Sequence, residues 1–446
     1  MENLVAQIFS FIQAEIWPLF LFLGDKAIRL FLVWWWVILP ILLFGKAKKF
    51  YLFYINERWT ETKKKVLLEI KIPRDSVKPI SAMESVVDAL WQSAYLGDPS
   101  WKEKWIDGQG THPISYEIVS IGGEIHFYIR APEAYRDSFE AAIFSQYPDV
   151  EISSAEDYTK KVPQDIPNKD WNLWAADFRT PRSSAYPIKT YESFETGSEV
   201  VEEKRIDPMA NLLEALGKVV PGEQIWIQIV AKPQGMGLIK PFTKEGEEEI
   251  AKLLNRPGDP KSRKTVKRIW DLVVNAKPLE EEKPKEEERM IPSEMKLSPG
   301  ERDVVVKVEE KTYSLVNECH IRFIFLGKRD VFFKPRLKLP FGYFANFSGF
   351  NMLVPRGGTM PKANQEWYNF WRFPKRRVYT IARKSFRRYQ TRLRWDYPLP
   401  ERKRTMYLSN KEIASLYHFP SSRVAPAPFV SRINAKRGGA PVELPR

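Results

Sequence analysis

The stretch Leu30–Phe44 (LFLVWWWVILPILLF) carries no charge, and it constrains this chain more than any other feature. Extended to about 27–46, it supplies the roughly 20 residues a bilayer-spanning helix needs. Trp34, Trp35 and Trp36 are consecutive, so they point around the helix, as in an interfacial belt or lipid-facing surface. Lys46, Lys48, Lys49, Arg58 and Lys63–Lys65 follow the run, and only Lys26 and Arg29 lie close before it. The positive-inside rule then puts the rest of the chain in the cytoplasm, behind the inner or plasma membrane. A cleaved signal peptide would carry its main charge cluster ahead of the run and small residues behind it. A core helix would have to be buried all round.

Leu4–Leu23 is less decided. Gln7, Ser10 and Gln13 form one polar stripe, followed by Glu15 and Pro18. An amphipathic helix on the membrane fits, and so does a second span that would make a hairpin. Phe50–Trp59 (FYLFYINERW) extends the helix along the inner interface.

Charge is the second constraint. Residues 328–446 hold 26 Lys and Arg against 6 Asp and Glu, whereas residues 1–327 hold 44 against 50. An acidic body with a basic last quarter implies an anionic partner. With 43% hydrophobic residues a real core is expected, and the single cysteine, Cys319, excludes a disulfide framework or multi-cysteine metal site.

The body reads as α+β. Val66–Ile72 is a strand candidate ended by Pro73, and Ser81–Glu84 has the form of a capping box before a helix. Ser115–Ser120, Gly122-Gly123 and Glu124–Ile129 predict a hairpin. A helix from Pro132 and a strand at Val150–Ser153 complete a βαββαβ order, the ferredoxin-like module, with one sheet face left free to pack. A second such module is expected after the Pro-rich connection 163–187. It has an extended Tyr186–Thr190, a helix opened by Asp207-Pro208, a strand at Gln224–Val230, and charged helices at Lys244–Leu254 and Ser262–Asn275. Pro278–Glu288 reads as an acidic tether. Ser298–Lys311 is expected to be helical, with a capping box, before a strand at Ile321–Leu326. The expected divisions are a membrane anchor at 1–60, modules at 61–160 and 161–330, and a basic helical and extended region at 331–446.

Within Gln365–Tyr397 the candidate contacts to an anionic partner are Arg376, Arg377, Arg383, Lys384, Arg387, Arg388, Arg392 and Arg394. Phosphate binding is one reading of such a helix. Anionic lipid, an acidic protein or a plain solvated face are the others. No phosphate-binding loop is present: Gly45, Gly217 and Gly327 each precede a lysine, but no Ser or Thr follows. G-x-S-x-G, H-E-x-x-H and C-x-x-C are also missing, so no catalytic, cofactor or metal residue is assigned and a non-enzymatic role is expected.

Three stretches together carry a resemblance. They are Leu68–Pro73 (LEIKIP) with Ser81–Glu84; Tyr186–Tyr191 (YPIKTY) with Ile206–Pro208 and Gly222–Gln228 (GEQIWIQ); and Leu408–Pro420 (LSNKEIASLYHFP) with Ala440–Pro445. They resemble an uncharacterised family of membrane-anchored proteins from small-genome bacteria. That family is associated with type IV secretion and with coupling-type ATPases of conjugative DNA transfer. In fused relatives the last stretch leads into the ATPase domain, whereas here the sequence given ends at Arg446, and Lys411-Glu412 replaces an acidic pair. The resemblance implies a membrane-anchored adaptor or scaffold working, in an oligomeric assembly, with other secretion-system subunits and a motor ATPase in trans. Leu416, Tyr417, His418 and Phe419 are then the expected apolar docking anchors. The alternative is a membrane-tethered nucleic-acid-binding protein that uses the basic region on DNA.

Overall fold

The computed structural model describes residues 17–73, 78–95, 97–195, 207–254, 297–361, 374–392, 406–420 and 430–431. Of the expected helix 4–23, residues 4–16 lie outside them, as do the charged helix 262–275 and the acidic tether 278–288.

Helix α1 (Trp17–Thr62) runs unbroken through Pro40 and joins the apolar run to the aromatic Phe50–Trp59 stretch. Val33, Trp34, Trp36, Leu39, Ile41, Leu43 and Phe44 are exposed on it. Some of its side chains, Trp35 among them, lie outside the description. Among the described residues, no helix is long and apolar enough to cross a membrane.

The body is α+β and built on one antiparallel sheet of nine strands. Its first part follows the expected order: β1 (Lys65–Lys71), α2 (Ile80–Ala94), β2 (Ile114–Ile121), β3 (Glu124–Pro132), α3 (Arg136–Gln146) and β4 (Glu151–Ser154). The β2–β3 turn works because Gly122 and Gly123 both take positive φ, 59° and 98°, where a side chain would strain the backbone. Helix α2 starts one residue before Ser81, with Pro79 at its N-cap and no side-chain cap, so the expected capping box there does not form.

The second part departs from expectation. Tyr186–Thr190 is not a strand. The strand lies earlier, at β5 (Trp171–Arg179), inside what reads as a Pro-rich connection. Then come α4 (Ala210–Gly217), β6 (Glu223–Pro233), α5 (Met236–Leu253), α6 (Pro299–Tyr313) and β7 (Val316–Lys328). They are followed by α7 (Lys338–Ala345), β8 (Val354–Pro355), α8 (Pro374–Thr391), β9 (Met406–Ser409) and α9 (Asn410–Leu416). Ser298 and Glu301 make both halves of the expected capping box on α6.

Two separate module sheets do not occur. The strand order is β4-β1-β3-β2-β6-β7-β5-β8, with β9 added to β7. Strands β2 and β6 pair antiparallel in register, Ile118 opposite Ile227, and this pairing welds the two halves into one sheet. The division expected at residue 160 does not interrupt it, and β8 and β9 come from the region expected to be only helical and extended.

Alternation along the strands then gives each face its own core. Ile225, Ile227 and Ile229 of β6 and Ile321, Phe323 and Phe325 of β7 join α2, α3, α4, α7 and α9 on one face. Trp226, Ile324 and Leu326 point to the other, where α8 and the segment Tyr158–Ile166 cover them. Cys319 is buried in the first core, and burial pushes its thiol well up, consistent with a packing role.

Candidate anionic-partner interface

Helix α8 has no acidic residue in its sequence PKRRVYTIARKSFRRYQT. Ala382, Ser385, Phe386 and Tyr389, three or four residues apart, are buried. Phe386 stacks on Trp226 at 6.3 Å between ring centroids, and Tyr389 lies 5.3 Å from the same ring. Burial of two large aromatics fixes the helix on the sheet, and each contributes on the order of 3 kcal/mol. The opposite side presents Lys375, Arg376, Lys384 and Arg387 exposed, with Arg377, Arg383 and Arg388 partly so. The Arg383 guanidinium lies over the Tyr379 ring and donates to its hydroxyl. Seven of the eight expected cationic residues are thereby described, and six of them lie along one solvent-facing surface of α8.

The seventh, Arg392, corrects the expectation. It follows the helix with φ 54°, turns inward and is 5% exposed. Its Nε donates to Glu117 Oε1 at 2.9 Å, and its Nη1 donates to Asp157 Oδ2 at 2.6 Å. Ser115 Oγ and Gln228 Nε2 also donate to Glu117 Oε1, and the Tyr158 hydroxyl donates to Oε2 at 2.7 Å. Burial by itself would raise the Glu117 pKa, but the charge and hydrogen bonds of Arg392, with those of Ser115 and Tyr158, outweigh it and hold it below the usual range. Asp157 behaves likewise: burial raises it, and Arg392 and Thr159 more than offset that. Arg392 is therefore a buried anchor with no guanidinium face left for a phosphate. Arg394 lies outside the described residues.

The expected docking strip is also corrected. Leu416, Tyr417 and His418 are fully buried and Phe419 nearly so. Tyr417 packs on Tyr116 at 5.3 Å, and Phe419 meets Tyr147 edge-on at 5.0 Å. His418 Nε2 lies 3.0 Å from Asp207 Oδ1. Asp207 also accepts from Met209 N just ahead of α4, but α4 begins at Ala210 with Met209 at its N-cap and no side-chain cap, so the expected N-cap role of Asp207 does not form. The strip closes onto the core because β9 pairs with the start of β7 and delivers α9 against α2. The capping box of α9, Ser409 with Glu412, places the Glu412 carboxylate where it accepts from Lys311 Nζ and from Ile188 N.

A cleft of about 580 Å³ opens between α2, α6, the start of α9 and the segment 187–193. Lys307 and Lys411 on its wall each bridge Glu192 and Glu310. Glu84 sits there too, its pKa raised by burial although Tyr191 donates to it. Its charged residues come from four distant stretches, so no local motif could have signalled it. Among the described residues no group of three or more His, Cys, Asp or Glu could hold a metal ion.

Fold and surface together define a class: an α+β protein whose single antiparallel sheet carries a rigidly seated, acid-free basic helix on one face. Residues 56–428 match a domain of unknown function, DUF8128, and the chain belongs to that family. No curated protein matches it.

Proposed function

We propose that this protein is a membrane-anchored, non-enzymatic scaffold of a type IV secretion-like DNA-transfer apparatus, its body cytoplasmic and its motor ATPase supplied in trans. The body is read as two ferredoxin-like modules joined edge to edge through β2 and β6. The observation that carries the proposal is α8: four buried residues lock it to the sheet, and its outer side offers cations without a single intervening acid. A surface of that kind recruits an anionic partner at fixed orientation, which is what a scaffold requires. Anchoring is supported by the charge-free Leu30–Phe44 run and the lysines behind it. Because Leu416–Phe419 are buried, docking of the ATPase is assigned to the α8 surface instead.

The test is affinity purification of the full chain from membranes, with and without charge reversal at Arg376, Lys384 and Arg387. A motor ATPase should co-purify with the parent and be lost from the variant, and the pure chain should not hydrolyse ATP. Equal recovery would remove the scaffold reading of α8, and ATP hydrolysis would end the non-enzymatic one.

A second reading, direct DNA binding, is favoured by the same run of cations. It predicts duplex binding by the purified chain with log affinity falling steeply against log salt.

A further inference from the structure

The geometry points to a second membrane contact on this chain: the segment Trp101–Asp107, clamped beside α1, is a foot that rests in the headgroup layer of an anionic bilayer. The inference goes beyond the scaffold proposal but rests on its reading that α1 crosses the membrane at Leu30–Phe44.

Trp101 and Ile106 are 71% and 58% exposed, although neither belongs to α1. A Trp just ahead of the short helical turn Glu103–Asp107 and an Ile on it, both this open, gain nothing from the body's own core. The turn is held against α1 at several points. The Tyr51 hydroxyl donates to Trp105 O at 2.9 Å, Asn56 Nδ2 donates to Gly108 O at 3.0 Å, and Lys48 Nζ lies 4.7 Å from the centre of the Trp105 ring. Gly108 ends the turn with φ 69°, and a Cβ there would overlap the Ile55 carbonyl, so the approach to the α1 backbone is as close as a chain permits.

The level of the clamp decides what it can touch. Lys48 and Tyr51, which hold Trp105, follow Phe44 by four and seven residues, about 6 and 10 Å of helix rise. The interfacial layer outside the ~30 Å hydrocarbon core is itself only several ångströms deep. Trp105 is thus held at the outer margin of that layer, within side-chain reach of the boundary where aromatic residues partition. Phe44, Phe50, Tyr51 and Tyr54 of α1 are exposed alongside and extend the aromatic surface. Lys46, Lys48, Lys49, Lys102 and Lys104 supply cations, against Asp98, Glu103 and Asp107; Asp98 accepts from the Tyr95 hydroxyl, and Glu103 accepts from Ser100 N. The excess of cations favours anionic lipid over neutral lipid. A foot fixed to the anchor would set the angle at which the body leaves the membrane, because one helix alone leaves rotation and tilt free.

The test uses the full chain in nanodiscs containing phosphatidylglycerol. An environment-sensitive fluorophore is attached at Trp101→Cys, Ile106→Cys, Trp36→Cys or Phe144→Cys, the last on α3 away from the foot. The buried Cys319 is left in place, and the unsubstituted chain gives the background. Labels at 101 and 106 should emit to the blue of the label at 144 and be quenched by lipids carrying a nitroxide near the headgroup. The label at 36 should be quenched by lipids carrying it deep in the acyl chain. If 101 and 106 are as open to water as 144, the foot is wrong whatever the label at 36 reports. If 36 escapes deep quenching while 101 and 106 are quenched at the headgroup, the foot stands as a peripheral contact and the spanning reading fails.

Discussion

Arg392 and Glu117 meet across the second face of the sheet, 2.9 Å apart in space and 275 residues apart in sequence. The pair does two things at once. It neutralises a carboxylate that β2 carries into the interior, and it pins the end of α8 so that the remaining cations of that helix face outward.

Arg392→Ala should therefore destabilise the purified full chain by about 3–5 kcal/mol, since it leaves Glu117 charged and unpaired. The double variant Glu117→Gln, Arg392→Met should recover much of that loss. Denaturant unfolding monitored by circular dichroism measures both. A single variant as stable as the parent would show that the pair is not holding the helix.

The basic surface should behave in the opposite way. Replacing Arg376, Arg383, Lys384 and Arg387 with glutamine should leave the unfolding midpoint unchanged. If those residues contact duplex DNA, the replacement should flatten the salt dependence of binding by roughly 3–4 units, at ~0.9 per phosphate contact. Fluorescence anisotropy with a labelled duplex over a salt series reads the slope, and no binding even at ~50 mM salt would close the direct DNA reading.

Leu416→Ala tests the buried strip. A core leucine truncated to alanine costs about 2–5 kcal/mol, whereas an exposed docking anchor costs next to nothing in stability. Leu90→Ala on α2, which α9 packs against, should fall in the same range. Thermal or denaturant unfolding decides.

Stability should also fall in mild acid. The His112 ring stacks on Trp59 at 4.4 Å, with Tyr135 beside it. Burial first, and then the charges of Lys63, Lys65 and Lys232, depress its pKa from 6.5 to about 4. The unfolded chain takes up this proton between those values and the folded chain does not, so stability declines as pH falls from 6.5 toward 4. The loss is on the order of 2–3 kcal/mol and should vanish from that window in His112→Phe. Glu117, Asp157 and Asp207 have lowered folded pKa values, so their stabilisation is present above the ordinary carboxylate range and is lost only at lower pH, as it falls through the folded values. Unfolding free energy measured against pH for parent and variant separates the two effects.

Much of the fold could be read from short-range pattern. The hairpin at Gly122-Gly123, the alternation in QIWIQIV and the Ser298–Glu301 box are each set by neighbours within a few residues, and each forms. Strand β5 was missed because Trp171–Arg179 sits in a Pro- and Asp-rich stretch and owes its state to pairing with β7. That tertiary pairing overrides local propensity. The joining of β2 to β6 was equally invisible, since strand partners more than a hundred residues apart leave no local trace. At the candidate interface, the cations of α8 were legible as composition, but the inward turn of Arg392 was not. It depends on a carboxylate far away in sequence and on one left-handed residue. The buried Leu416–Phe419 looked like an exposed anchor because apolar residues followed by prolines read the same way in a linker and in a segment closing onto the core.

The weld between β2 and β6 also decides how copies of this protein can associate. It uses up the two long strands that would otherwise be the open margins of the halves. The sheet path then ends in β4, four residues long, and β8, two residues closing on Pro355. Margins that short, one of them ended by a residue without an N–H, offer almost no template for a further strand. Pairing of copies through those two ends is therefore disfavoured, and among the described residues the longer edge left for a further strand is the part of β5, Trp171–Asp177, that β8 does not cover.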